Sequence, residues 1–222
     1  MLDLLLLLIC LHHANCFNQI VLEVASVHKS SEGFSVNKWQ QKRSVRHRYD
    51  STAQMYDRRY CEEQEAKYNA ALNDLKVQRG EVVLDVGCGT GLFFPHIAEK
   101  AGVVVGLDIS RELLLQAKQR TKAEENVFVV LADADYLPFV DAIFDLVFAF
   151  TVIQNMPKPL ETLKEIKQAT KKGASIVLTG LKKAIPLEVF GELLSEADLR
   201  VVSLKDDASL QCYVVVCVQD PR

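Results

Sequence analysis

The chain has 222 residues, of which 49% are hydrophobic, so its length and composition suit one domain or one domain with an extension. The formal net charge is −3 at pH 7, which argues against a global basic field for binding nucleic acid. None of the six cysteines forms a C-x-x-C pair, and the five histidines do not cluster. We therefore expect no metal site, no disulfide framework and a reducing, cytoplasmic compartment.

The first 45 residues differ from the remainder of the chain. Residues 2–11 are apolar apart from Asp3, but this run is too short to span a bilayer as a helix. No basic residue precedes the run and no A-x-A site follows it, unlike in a signal peptide. We predict a non-core extension over residues 1–45, such as an over-long gene start, and a domain over residues 46–222. A membrane-associating or export segment is the alternative.

The domain is predicted to alternate helices and strands. A helix is expected over residues 49–75, starting at Asp50 or Ser51. The hydrophobic pattern then predicts strands at 82–86, 103–107, 127–131, 145–150, 174–180, 199–205 and 210–218, and helices at 91–101, 111–123, 159–171 and 186–197. The last two strands are joined by a short turn and must be antiparallel. This order predicts an α/β fold with helices on both faces of a mostly parallel sheet.

A glycine-rich turn follows the first of these strands. From residue 81 the chain reads E-V-V-L-D-V-G-C-G-T-G, with Gly87, Gly89 and Gly91 alternating with Cys88 and Thr90. Glycines allow a sharp turn and close approach of a ligand, and the following helix presents free N–H groups. The turn therefore predicts a nucleotide-type pocket at the carboxyl end of the strand.

The turn differs from a dinucleotide fingerprint. Leu92 stands where G-x-G-x-x-G requires its third glycine, and Asp85 would face a pyrophosphate unfavourably. An acid at this position suits the ammonium of S-adenosylmethionine, which contains a sulfonium, a ribose and an adenine but no phosphate. The stretch resembles motif I of the class I, Rossmann-like S-adenosylmethionine-dependent methyltransferases.

Two further acids follow the second and third strands. Asp108 lies about 20 residues past the first glycine, the spacing of a ribose-binding acid, with Ile109 beside it. Its alternative role, shared with Ser110, is to cap the next helix. The segment L-A-D-A-D-Y-L-P-F from residue 131 resembles the family's G-D-A-x-x-L-P-F. This resemblance implies that Asp133 accepts from the adenine amino group and that the Ala134 N–H meets a ring nitrogen. The alternative for Asp133 is an ordinary solvated loop acid.

The fourth strand resembles the family's F-D-h-V-h strand, whose end lies near the transferred methyl. This places Phe150, Thr151 and Val152 in the pocket wall. Many small-molecule methyltransferases have histidine where Gln154 or Asn155 stands, so no general base can be assigned and the catalytic residue is unknown. No [D/N]-P-P-[Y/F] tetrapeptide is present, which argues against exocyclic or amide nitrogen acceptors.

The segment Y-D-S-T-A-Q-M-Y-D from residue 49 resembles the stretch before motif I in ubiquinone- and menaquinone-biosynthesis methyltransferases. This resemblance implies that Tyr49 and Tyr56 cover the methionine end of the cofactor, where aromatic faces favour a sulfonium. Alternatively, the two rings only pack the helix on the sheet. The whole resemblance spans about residues 46–218. It implies a seven-stranded sheet of order 3-2-1-4-5-7-6 with strand 7 antiparallel.

These patterns favour an S-adenosylmethionine-dependent methyltransferase with a small-molecule acceptor and no metal. One alternative is a methyltransferase acting on tRNA or a translation protein with an activator subunit. The thin pocket roof points to it, and so would the basic residues of segment 38–48 if they formed a phosphate-contacting arm. The favoured interpretation of that segment is a solvated, flexible charge run, made up of Lys38, Lys42, Arg43, Arg46 and Arg48. A non-catalytic, cofactor-binding regulatory subunit is a second alternative, disfavoured by the intact motifs. Membrane contact through the leucine run is not expected.

Overall fold

A computed structural model describes the backbone of residues 21–23 and 36–219, and the side chains from residue 38 to residue 219. The predicted leucine-rich run lies outside the described residues. Within the part of the chain that the structure describes, no helix is both long enough and apolar enough to cross a membrane.

Eight strands form one sheet, and helices pack against it. The strands are β1 (Val21–Glu23), β2 (Val82–Val86), β3 (Val103–Asp108), β4 (Val127–Leu131), β5 (Phe144–Ala149), β6 (Thr170–Leu181), β7 (Leu199–Lys205) and β8 (Cys212–Gln219). The helices are α1 (Val36–Thr52), α2 (Tyr56–Asp74), α3 (Phe94–Ile97), α4 (Arg111–Arg120), α5 (Pro159–Ala169) and α6 (Leu187–Glu196), with 3₁₀ turns at Ala53–Met55 and Ile153–Asn155.

The predicted topology is confirmed. The spatial order is β1-β4-β3-β2-β5-β6-β8-β7, so the strands from β2 onward follow the order 3-2-1-4-5-7-6. Strand β8 runs antiparallel to both β6 and β7, whereas the other pairs are parallel. The sequence did not predict β1, which pairs in parallel with the edge strand β4.

The helix boundaries before the glycine turn differ from the prediction. Helix α1 begins at Val36, so Asp50 and Ser51 lie near its end instead of starting it. The hydroxyl of Ser51 donates to the carbonyl of Arg48 within α1 and therefore does not cap a new helix. Helix α1 also crosses the predicted domain boundary at residue 46. The division into an extension and a domain stays a prediction, but the packed unit includes side chains from Lys38 onward.

The helix expected over residues 91–101 is much shorter. Only Phe94–Ile97 is α-helical, and turns surround it. Pro95 has no N–H to donate to Gly91, and the neighbouring bonds from Phe94 to Gly91 and from His96 to Phe93 have the tighter i to i−3 spacing. The glycine turn therefore leads into a compact series of turns.

Apolar clusters cover both faces of the sheet. In β2, Val83 belongs to one cluster and Leu84 and Val86 to the other, and all three are buried. Such double burial is typical of a parallel sheet between helix layers. Because β2, β3, β4 and β5 are parallel, their carboxyl ends meet at one edge, where the residues of the predicted site follow each strand.

Candidate functional site

A pocket lies at the carboxyl ends of strands β2 to β5. Its wall includes most of the predicted cofactor-binding residues: Tyr49, Tyr56, Gly87, Gly89, Asp108, Ile109, Asp133, Ala134 and Thr151. The predicted wall residues Phe150 and Val152 also line it. Asp85, Cys88 and Gly91 are not part of the wall, so direct contact of these three with a cofactor stays a prediction.

The glycine turn forms one side of the pocket. Gly87 and Gly89 have φ angles of +72° and +57°, in the left-handed region that disfavours side chains. A Cβ on Gly87 would lie 2.5 Å from Cγ2 of Val152. The N–H of Gly87 donates to the carbonyl of Leu107 at 2.7 Å, which holds the turn against β3. The bare backbone is therefore required by both conformation and space.

Gly91 and Cys88 serve the packing behind the turn. A Cβ on Gly91 would lie 2.5 Å from the Phe94 ring, and one on Gly106 would lie 2.4 Å from the same ring. Cys88 is buried, and burial raises the pKa of its thiol well above the usual value. These residues let Phe94 fit between the turn and β3.

Asp108 holds the turn and the start of α4. Its Oδ2 accepts from the N–H of Gly89 at 3.0 Å, and its Oδ1 accepts from the N–H of Ser110 at 2.8 Å. Burial raises the pKa of Asp108 to about 6, against the opposing effect of these backbone donors. Ser110 is the N-cap of α4, because its Oγ accepts from the N–H of Leu113. The cap alternative thus applies to Ser110, and Asp108 can still accept from a ligand hydroxyl.

Asp85 is a buried acid near the end of β2. It is 2% exposed, and burial, followed by the nearby charge of Asp108, raises its pKa well above the usual value. No hydrogen bond or ion pair to its carboxyl comes from residues 38–219. The buried carboxyl of Asp85 therefore lacks a cationic partner, and the ammonium of a ligand would supply one.

The predicted adenine end is joined to α1 by buried ion pairs. The Lys42 ammonium lies 2.5 Å from Oδ2 of Asp133 and 2.5 Å from Oδ2 of Asp135. Lys38 lies 3.5 Å from Asp135 and 3.0 Å from Glu161. Two members of the basic run therefore pair with acids of the same chain and are neither fully solvated nor free to contact phosphate.

Tyr49 and Tyr56 stand over the glycine turn. Their ring centroids are 6.1 Å apart in an edge-to-face arrangement. Asn155 donates to the hydroxyl of Tyr49, and Gln64 donates to the hydroxyl of Tyr56, both at 3.2 Å. Burial raises the pKa of both phenols. Both rings line the pocket and also pack the helices. A role in covering the cofactor and a role in helix packing are therefore compatible for these tyrosines.

Thr151 occupies a strained position after β5. Its φ is +62°, which is costly for a β-branched residue. Its N–H donates to Oγ1 of Thr179 at 2.7 Å, and its own Oγ1 accepts from the Lys67 ammonium at 2.8 Å. Such strain persists where the surroundings hold it, often at functional sites.

Sequence reasoning missed several residues of the wall. Helix α1 contributes Lys42 and Val45, and the loop after β5 contributes Asn155 and Met156. The sequence contained a signal for the contribution of α1. Its spacing places on one helical face Lys38, Lys42, Val45 and Tyr49, and acids that the lysines can pair with stand at 133 and 135.

Among the described residues, no group of three or more His, Cys, Asp or Glu could hold a metal ion.

Comparison with known families identifies the domain. Residues 84–178 match the family model described as a methyltransferase domain. The malonyl-[acyl-carrier protein] O-methyltransferase of Marinomonas sp. (strain MWYL1) is 33% identical over 150 residues, which is 67% of this chain and 55% of that protein. The demethylmenaquinone methyltransferase of Staphylococcus epidermidis is 38% identical over 109 residues, 48% of this chain and 45% of that protein. The chain thus spans about half the length of these relatives.

Solved structures share the fold. A SAM-dependent methyltransferase from Aquifex aeolicus has a TM-score of 0.60 and 23% identity, covering 68% of this chain and 88% of that one. The complex between the Haloferax volcanii Trm112 methyltransferase activator and a methyltransferase gives a TM-score of 0.70 and 21% identity. The match covers 80% of this chain and 98% of that one.

These matches confirm what the sequence predicted for the family and the fold. Residues 84–178 match a methyltransferase domain, and solved S-adenosylmethionine-dependent methyltransferases share the Rossmann-like fold of this chain.

Proposed function

We propose that this chain binds S-adenosylmethionine in the pocket at the strand ends and is an enzyme that methylates a small-molecule acceptor. One pocket brings together the glycine turn, the acids after β3 and β4, and the two tyrosines before the turn. This convergence carries the proposal. A dinucleotide would instead need a third glycine at Leu92, which is buried.

The residues present fit the parts of this cofactor. The unpaired, buried Asp85 would hold the methionine ammonium, directly or through water. Asp108 has lone pairs left for the ribose hydroxyls, while Gly87 and Gly89 admit the methionine backbone. These assignments join ligand groups to protein groups of complementary charge or hydrogen bonding.

The remaining contacts belong to the adenine and the sulfonium. Asp133 and the Ala134 N–H would meet the adenine edge, with Ile109 beside it. Tyr49 and Tyr56 would cover the sulfonium, for which aromatic faces are favourable neighbours. Cys88 and Gly91 would support the turn from behind.

When bound, the cofactor supplies a methyl group that its sulfonium already activates. The protein then acts by holding the acceptor in line and excluding water. Phe150, Thr151 and Val152 would form the wall beside the reacting atoms. Binding roles account for all the assigned residues, and no general base is assigned.

A second candidate is a methyltransferase that acts on tRNA or a translation protein with an activator subunit. One solved neighbour is a complex with a methyltransferase activator, and strand β7 at the sheet edge exposes Val201, Val202 and Leu204. Pairing of Lys38 and Lys42 with acids weakens the case for a phosphate-contacting arm.

The intact acids of the cofactor motifs, Asp85, Asp108 and Asp133, argue against a silent regulatory subunit. A cytoplasmic location stays a prediction.

The test is calorimetric titration of the full chain with S-adenosylmethionine and S-adenosylhomocysteine, with NAD as control. We expect micromolar binding of the first two and none of NAD. Labelled methyl transfer into small-molecule and RNA pools then separates the two candidates. Binding of NAD, or of none of the three, would contradict the proposed cofactor.

A further inference from the structure

A second cavity lies directly beside the first. It shares Tyr49, Tyr56, Thr151 and Asn155 with the cofactor pocket. We propose that this cavity binds the methyl acceptor and selects an acceptor carrying a carboxylate or phosphate group. The proposal rests on the proposed function, because the first pocket must hold the methyl donor.

Positive charge dominates the lining. Arg48, Arg59, Lys67 and Lys183 line the cavity, whereas Glu63 is its one acidic lining residue among those described. Within residues 38–219, no carboxylate forms an ion pair with Arg48, Arg59 or Lys183. These three exposed side chains therefore have no carboxylate partner at the cavity, which favours an anionic group over a cationic one there.

The one acid of the lining is already paired. The ammonium of Lys67, whose side chain is 2% exposed, lies 2.8 Å from Oε1 of Glu63. The same ammonium donates to Oγ1 of Thr151 at 2.8 Å and to Oε1 of Gln64 at 3.1 Å. Because Thr151 accepts from Lys67, its hydroxyl proton is left to donate toward a ligand oxygen. This contact lies where the two cavities meet.

A buried amide also lacks a partner. Both polar atoms of the Gln154 side chain are buried, yet neither has a hydrogen-bond partner among the described residues. Gln154 lines the second cavity. Unpaired buried polar groups are rare in folded proteins and call for an explanation. An oxygen of the acceptor would accept from the Gln154 amide, so this residue is a second, independent sign of a ligand.

The two polar residues after Val152 and Ile153 differ in their partners. Asn155 is committed to the protein, because it donates to Tyr49 and to the carbonyl of Thr151 and accepts from Arg48. Gln154 remains available for the ligand.

The test compares matched charged and neutral probes on the full chain saturated with S-adenosylhomocysteine. Benzoate, phenyl phosphate and neutral benzamide are titrated while the backbone amide NMR signals of Gln154 and Lys183 are followed. We expect saturable shifts with at least one acid and binding of benzamide weaker by about tenfold or more, since charged hydrogen bonds are lost. Preference between benzoate and phenyl phosphate distinguishes a carboxylate from a phosphate acceptor.

A double variant tests the cations themselves. Arg59→Gln with Lys183→Gln should weaken binding of the preferred acid about tenfold or more. Arg79→Gln with Lys122→Gln removes the same charge from exposed positions outside the cavity and should leave binding unchanged. Equal binding of benzamide, no saturable binding of either acid, or equal effects of both double variants would overturn the proposal.

Failure of the two proposals can be told apart. Calorimetry of the same sample first measures S-adenosylhomocysteine binding. Its failure would contradict the proposed function and with it the acceptor role of the cavity, while anion binding by the cavity could still be measured by itself. The acid titration is then repeated without that ligand, because the cavity is formed by the chain itself. Normal S-adenosylhomocysteine binding without acid binding would contradict the further inference alone.

Discussion

The ammonium of Lys42 lies 2.5 Å from the carboxylate of Asp133, and this contact ties α1 to the loop after β4. Asp135, whose side chain is 1% exposed, depends on the same ammonium at 2.5 Å. We expect Lys42→Met to lower the free energy of unfolding by on the order of 3 kcal/mol, because it removes the nearest cation from Asp133 and leaves Asp135 only the more distant Lys38. Urea unfolding measures this.

The control for this prediction is Arg43→Met on the same helix. Arg43 is exposed, so its replacement should change stability by no more than about 0.5 kcal/mol. Similar losses in both variants would mean that α1 is stabilised by its general charge and not by the Lys42 ion pairs.

Gly87 and Gly173 form a matched pair for the glycine turn. Their φ angles are +72° and +77°, but a Cβ on Gly87 would lie 2.5 Å from Val152, whereas one on Gly173 would meet nothing within 4 Å. Gly173→Ala should therefore cost only the backbone strain, about 1–2 kcal/mol. Gly87→Ala should cost more and also weaken S-adenosylhomocysteine binding. Thermal unfolding and calorimetry test this, and equal behaviour of the two variants would argue against a crowded turn at Gly87.

Asp108→Asn tests the ribose role. The substitution keeps the size of the side chain but removes one acceptor and the charge. We expect S-adenosylhomocysteine affinity to fall by about 1–3 kcal/mol, as for a lost charged hydrogen-bond partner. Calorimetry measures the change, and Asp207→Asn in an exposed turn is the control. Unchanged affinity in a folded Asp108→Asn protein would exclude the ribose assignment.

The pKa of Asp108 also predicts a pH dependence of stability. Its pKa is about 6 in the folded protein, against an ordinary value of 3.8. Between these values the folded state binds more protons than the unfolded state, so rising pH lowers the free energy of unfolding. The contribution is fully present below about pH 4, is lost as the pH rises through about 6, and amounts to on the order of 3 kcal/mol.

Comparison with Asp108→Asn isolates this effect. Relative to wild type, the variant should gain stability as the pH rises from 4 to 7, because it has no carboxyl to ionise at this position. Chemical unfolding at several pH values in this window gives the difference directly. A constant difference between wild type and variant would show that Asp108 titrates near its ordinary value in the folded protein.

Gln154→Met should stabilise the chain while impairing the second cavity. The variant removes two buried polar atoms that lack partners, so the free energy of unfolding should rise by about 1 kcal/mol. Binding of whichever acid the cavity prefers, benzoate or phenyl phosphate, should weaken in the same protein, as expected where stability and function compete. Gln78→Met at an exposed position is the control for both measurements. Loss of stability in Gln154→Met would mean that the amide has a structural partner.

Local patterns predicted the sheet and the strand ends well. Strands 82–86, 127–131 and 199–205 have the bounds expected from the apolar runs. The glycine turn, Asp108 and Asp133 follow strands whose carboxyl ends meet in a parallel sheet, so their convergence followed from the strand assignments. The helix predicted after the turn was too long, because Pro95 favours tight turns there.

The contacts across the pocket could not be predicted in the same way. Lys42 and Asp133 are 91 residues apart, and Lys67 and Thr151 are 84 apart. Periodicity indicates which face of a helix is polar but not which distant acid that face meets. The basic run around Lys42 was therefore interpreted as a solvated, flexible segment, whereas Lys42 is buried and paired with two acids.

The α/β fold class and the residues at the strand ends were predictable from the sequence, because local periodicity marks where each strand begins and ends. The strand order was implied by the family resemblance, and β1 was not predicted. The folded structure was needed to show that α1 is tied to the pocket at the strand ends, that Thr151 is strained beside Lys67, and that a cavity lined with cations adjoins that pocket. These features arise where helices packed from one part of the chain meet loops from another, and the free energies of those contacts depend on burial and distance, which no local pattern contains.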